Sequence, residues 1–201
     1  MLDCKGIRIA LVNFTYGTNT GNPSRPWPAT WTMNKEDVKG AFDRAREKEA
    51  DFILALPHWG EEYKLIHSAQ QERWAEWLVG QGADLIIGAH RHVVQDTTHI
   101  NGVPVFYSIG NAVSNMSAEN TRLELAVTAR FVINRRTREK RMLEPQLDFM
   151  WCTLPDRLTG NYSTIFVKEW AARRSAWLTL SDYENMLDTW QRVRECTGIE
   201  D

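Results

Sequence analysis

Apolar residues fall along the chain in two rhythms, and the change comes just after His92. Before it, short apolar runs alternate with segments of helical period. Gly6–Asn13 (GIRIALVN) is such a run, bounded by glycine and a polar loop, and predicts a buried strand. Residues 14–33 follow as a long loop with Pro23, Pro26, Pro28, Trp27 and Trp31; loops of that length inside a compact domain are usually functional or mobile. Asn34 then predicts an N-cap, with Asp37 at N3 and Val38, Ala41, Phe42 and Ala45 forming one apolar face through about Glu49. Asp51–Pro57 (DFILALP) is too short for a helix and apolar on both faces, the pattern of a central parallel strand. It ends in His58-Trp59-Gly60-Glu61-Glu62-Tyr63.

Ser68 with Gln71 makes a capping box, and the helix it opens runs to about Gly80–Gly82, burying Trp74, Trp77 and Leu78. Ala83–Gly88 (ADLIIG) predicts another buried strand, ending in Ala89-His90-Arg91-His92. Strand, helix, strand, helix, strand implies parallel pairing with right-handed crossovers, so the fold class is α/β. After His92 the elements become short strands. Val93–His99 and Val103–Tyr107 flank Asn101-Gly102, a type I′ hairpin signal, and Arg122–Asn134 and Met142–Thr153 flank the charged turn Arg135–Arg141. From Ser163 the pattern predicts two amphipathic helices with a break near Thr179–Asp182. No repeat or linker interrupts the chain, which reads as one domain over 1–160 with a helical segment, 161–201, packed on it.

Composition narrows the function. A net charge of −2 over 201 residues gives no pull toward nucleic acid or an anionic membrane. No apolar run reaches the ~18 residues that span a bilayer, and the first residues show no export signal. Cys4, Cys152 and Cys196 are too scattered for a disulfide framework or a zinc knuckle. Nine tryptophans suit core and rim packing, or a stacking surface for sugar or peptide.

Ligands of open α/β sheets collect outside the carboxyl ends of the strands, where two apolar strands here end in histidine. His90 and His92 can be aimed into one crevice if the chain bends at Arg91, and His58 lies at the equivalent end of the preceding strand. Neutral imidazole is a ligand for zinc, manganese and iron. Gly88 permits close backbone approach where a metal and its substrate would sit. His58, His90 and His92 are therefore candidate ligands of one divalent-metal site, with side chains expected within about 4–7 Å of one another. The plainer alternative is that all three are structural, as His67 before the helix cap and His99 near the hairpin turn are expected to be.

Three blocks carry a family resemblance: Ala50–Tyr63 (ADFILALPHWGEEY), Gln81–Gln95 (QGADLIIGAHRHVVQ) and Val105–Asn115 (VFYSIGNAVSN), preceded by Gly6–Asn19 (GIRIALVNFTYGTN). Together they resemble the poly-γ-glutamate capsule biosynthesis family, the CapA/PgsA group, itself similar to calcineurin-like metallophosphoesterases. The match spans roughly residues 6–115. It implies a four-layer α/β/β/α sandwich and metal-assisted phosphoester hydrolysis by a pair of cations, manganese, iron or zinc. His58 matches a metal-ligating histidine, and His90 and His92 match the pair that gives one ligand to each metal. Glu61 and Glu62 match the acidic part of the His-Trp-Gly-X-Glu-Tyr stretch, where Glu62 is the candidate for a substrate or supporting role. Asn111 matches the Ser-X-Gly-Asn turn.

The family's opening Gly-Asp and Asn-Asn-His motifs do not precede Gly6, and Asp3 is the only early carboxylate. The resemblance thus implies a domain lacking its first βα units, with a partial metal site, weak metal binding and no useful phosphoester turnover by this chain alone. It leaves open a non-catalytic polymer-handling or assembly protein that keeps the fold. The partners it implies are an anionic polymer or phosphoester, membrane assembly proteins, and a second copy pairing through an uncovered sheet edge beside strand 6–13 or 51–57. An envelope location is implied by the family, though this chain expressed alone is expected to remain in the cytoplasm.

Overall fold

A computed structural model of the chain describes residues 1–17, 32–134 and 136–201. Most of the long loop expected over 14–33, with its prolines and Trp27 and Trp31, lies outside the described residues, as does Arg135 in the charged turn.

The first half follows the strand–helix alternation. Strand β1 (Leu2–Cys4) turns back through Lys5 and Gly6, both at positive φ, and pairs antiparallel with β2 (Ile7–Thr15). Helix α1 (Lys35–Glu47) leads to β3 (Phe52–His58), and helix α2 (Ala69–Gly80) leads to β4 (Leu85–Ile87). Both expected caps form. The Asn34 side chain accepts from the N–H groups of Glu36 and Asp37, and Ser68 and Gln71 close a reciprocal capping box. Strands β5 (Thr97–Ile100) and β6 (Val103–Phe106) make the predicted hairpin, with Asn101 and Gly102 at φ 50° and 80° as a type I′ turn requires.

The resulting sheet has the order β1-β2-β3-β4-β6-β5, with β2, β3, β4 and β6 parallel. Strand β3 is therefore interior, contrary to the expected open edge at 51–57. The short β1 covers only Ile7–Ile9 of β2.

Side-chain alternation divides the core in two. Ile53, Ala55 and Ile86 point to α1 and α2, where Val38, Phe42 and Leu78 are fully buried. Leu54, Leu85 and Phe106 point the other way, to a second sheet of β7 (Leu123–Ile133), β8 (Lys140–Thr153) and β9 (Ser163–Phe166). Helices α3 (Val167–Ala171) and α4 (Leu180–Thr197) pack against that sheet. The order helix, sheet, sheet, helix is that of an α/β sandwich.

The C-terminal segment differs from its expected two helices. Ser163–Phe166 (STIF) is β-branched and aromatic and pairs with β8 instead, so only five helical residues follow before a 3₁₀ turn and α4. The described tryptophans serve packing: Trp59, Trp151 and Trp177 are buried, and Trp74, Trp77, Trp170 and Trp190 are partly buried against the two cores.

One buried carboxyl, Glu124 on β7, has an oxygen without a hydrogen-bond partner, and desolvation pushes its pKa up to about 7. A raised carboxyl pKa leaves the folded protein protonated where the unfolded chain has ionised. Stability is thus lost as pH rises from the ordinary value of 4.5 through about 7. Glu124→Gln should remove that loss. Its stability advantage should be near zero at pH 4.5 and grow to about 1–3 kcal/mol above pH 7. Urea unfolding of both proteins across this range checks it, and a pH-independent gap would contradict it.

Candidate functional site

Parallel pairing puts the carboxyl ends of β2, β3 and β4 side by side, with Thr15 opposite His58 and His58 bridged to Ala89. The ladder continues past β4: Ala89 N–H donates to Pro57 and Trp59 N–H donates back to Ala89. His58 and His90 therefore enter the same crevice. Their ring centroids lie 4.7 Å apart, and His90 and His92 lie 6.3 Å apart. His90 thus lies within the expected reach of both His58 and His92, and Glu62 joins them, its Oε1 3.7 Å from His92 Nε2.

The backbone bends sharply to do this. His90 and His92 take φ 107° and 61°, and Tyr63 takes 65°. Non-glycine residues with positive φ are uncommon and costly, and such strain gathers at functional sites. Gly88, however, makes room for something other than a ligand. A Cβ there would sit 2.1 Å from the Tyr107 carbonyl oxygen and 2.4 Å from Trp59 Nε1. Its missing side chain accommodates the neighbouring strand and the Trp59–Tyr107 hydrogen bond of 2.8 Å.

Burial lowers the pKa of His58, with help from the His92 charge, and burial lowers that of His90, with help from His58. Both rings are thus biased to the neutral form that binds metals. The orientation of His92 is set by Asn111. Asn111 Nδ2 donates to the carbonyl oxygens of His92 and Thr121, which turns Oδ1 to His92 Nδ1 at 2.9 Å. Nδ1 must then be the donor, leaving Nε2 as the nitrogen that faces Glu62. His67 and His99 stand apart. His67 pairs with Asp96 at 2.7 Å and stacks on Tyr107, and His99 meets Glu144 at 3.3 Å.

Two aromatic residues were not legible as part of the site. The Tyr16 ring lies 4.4 Å from His90 and 6.2 Å from His58, and Tyr63 stacks 6.1 Å from His92. Tyr16 follows β2 directly, so its place beside two other strand ends was the available signal. Glu61 is exposed and approaches Arg91 electrostatically; no contact joins it to the imidazoles.

The donor chemistry suits a divalent cation: three imidazoles, two biased to the neutral form, and a carboxylate. Among the described residues, however, no group of three or more His, Cys, Asp or Glu side chains is gathered closely enough to hold a metal ion as it stands.

The sequence profile of the family described as "Bacterial capsule synthesis protein PGA_cap" matches residues 1–116, which contain every one of these side chains. The chain belongs to that family. It is 32% identical over 121 residues to the "Capsule biosynthesis protein CapA" of Bacillus anthracis, covering 58% of this chain and 29% of the relative. It is 31% identical over 118 residues to the "PGA biosynthesis protein CapA" of Bacillus subtilis (strain 168), covering 58% and 31%. The chain thus spans about a third of the length of the curated relatives it matches. One solved structure, "GAP50 the anchor in the inner membrane complex of Plasmodium", aligns at 16% identity over 79% of this chain and 44% of its own, with a TM-score of 0.31, too low to support an argument. The PGA_cap match ends just after the Asn111 turn, so β7, β8 and the C-terminal helices lie beyond it. Among the described residues, no helix is long and apolar enough to cross a membrane.

Proposed function

We propose that this PGA_cap protein serves capsule or cell-envelope polymer production through a divalent-metal centre held by His58, His90 and His92, with Glu62 beside it. One observation carries the reading: three imidazoles from two strand ends share a crevice, and Asn111 sets the tautomer of one of them. A zinc, manganese or iron ion bound there would supply Lewis acidity toward a phosphoryl oxygen and a more acidic bound water. The chain's own residues would orient and exclude. Tyr16 and Tyr63 wall the crevice, and Glu62 Oε1, 3.7 Å from His92 Nε2, would place a negative charge beside the cation. The substrate class we assign is a phosphoester or the anionic polymer itself, and the location is the envelope, following the family.

With a single carboxylate at hand, one cation is better matched than two, since little else offsets the repulsion of four positive charges. Turnover of a generic phosphodiester should therefore be slow, manganese-stimulated and lost in His90→Ala. That no ready metal cluster is found among the described residues favours a second reading, a polymer-handling protein without catalysis. Retention of an anionic polymer with no metal-stimulated turnover would decide for it. Asn111 offers a finer check. Asn111→Leu should free the His92 tautomer and lower metal affinity about 10–100-fold, the usual effect of removing a ligand's supporting hydrogen bond. Calorimetric titration with zinc reads it, and an unchanged affinity would remove Asn111 from the centre.

A further inference from the structure

Arg91 stands between His90 and His92 in sequence, yet its side chain goes the opposite way, into the interior. It is 1% exposed. The guanidinium lies over Gly60, where an added Cβ would come within 2.2 Å of Nε, so only glycine leaves it room. Nη2 donates to Gln71 Oε1, the same oxygen that accepts from the Ser68 N–H in the cap of α2. Gln71 Nε2 in turn donates to Gln95 Oε1 at 2.8 Å, and the Arg91 carbonyl accepts from the Tyr63 N–H at 3.0 Å. One buried cation thus ties the His90–His92 turn to the cap of α2 and to the Gly60–Tyr63 loop.

The arrangement is expensive. Among the described residues, Nε and Nη1 have no hydrogen-bond partner, and Glu61 and Asp96 act on the group only through their charge at a distance. A buried charge so poorly compensated opposes folding, and an apolar side chain of similar volume would be neutral or stabilising there. Rule-breaking of this kind belongs at functional positions.

We propose that Arg91 is a positioning residue: wedged between Gly60 and Gln71, it holds the strained turn that directs the His90 and His92 imidazoles into the crevice. The inference rests on the reading of those imidazoles as a metal centre, but its mechanical part can be tested without metal.

Arg91→Met keeps the stem and removes the fork. Its histidine-ring nitrogen resonances, compared with wild type in metal-free protein, should shift for His90 and His92, with His92 losing its single tautomer, while His99 is unmoved. Thermal stability should hold or rise, and zinc or cobalt affinity should fall about 10-fold or more, in the range seen when a ligand's support is removed. A merely structural role predicts the reverse: lower stability with ring resonances and affinity intact in the folded protein. Should Arg91→Met fail to fold, Gln71→Leu leaves the arginine in place and removes its acceptor; the same ring shifts are expected. Unchanged His90 and His92 resonances in a folded variant overturn the proposal. Ring shifts in a protein whose wild type binds no metal would uphold the positioning and overturn the metal centre instead.

Discussion

Asp182→Ala should destabilise the fold by about 3–5 kcal/mol, the cost of leaving a buried charge without its partner. Arg122, directly before β7, donates through both Nη atoms to the Asp182 carboxylate at 2.7 Å each, and its Nε donates to the Cys152 carbonyl. Its guanidinium also lies 4.4 Å over the Trp151 ring, and both charged side chains are at least nine-tenths buried. The pair locks the first turn of α4 to the second sheet. It also reaches the candidate centre, because the neighbouring Thr121 carbonyl accepts from Asn111 Nδ2. Urea unfolding reads the loss. The double variant Arg122→Met/Asp182→Leu should recover most of it, since two apolar groups bury without an orphaned charge. A loss below about 1 kcal/mol for Asp182→Ala would place the pair among surface bridges of little weight.

The second large effect concerns His90. It sits between the other two imidazoles, 4.7 Å from His58 and 6.3 Å from His92, with the Tyr16 ring tilted against it at 4.4 Å. Its removal takes away a donor and separates the two that remain. His90→Ala should weaken zinc or manganese binding by more than about 100-fold, beyond the range of changes to supporting residues. His99→Ala, at an exposed hairpin position, is the control and should have no effect. Equal affinity in the two variants would mean that His90 is not a ligand.

The parallel core was legible because each element carried its own signal: Asn34 and Ser68–Gln71 mark helix starts, Asn101-Gly102 marks a turn, and the strands are apolar on both faces. The C-terminal segment was not, because STIF is short and its strand character comes from pairing with β8, a contact no local pattern contains. Histidines at strand ends announced the crevice. The Asn111–His92 bond and Tyr16 were hidden for the same reason as STIF, since they bring together residues from separate loops. Arg91 was read only as a bend; its burial over Gly60 depends on a loop some thirty positions earlier.

The central claim is one divalent cation per chain on His58, His90 and His92. Metal analysis and calorimetric titration of the purified 201-residue chain with zinc and with manganese test it directly. One equivalent is expected, bound at micromolar affinity or weaker and abolished in the His58→Ala/His90→Ala double variant. No bound metal, or binding that survives in the double variant, would contradict it.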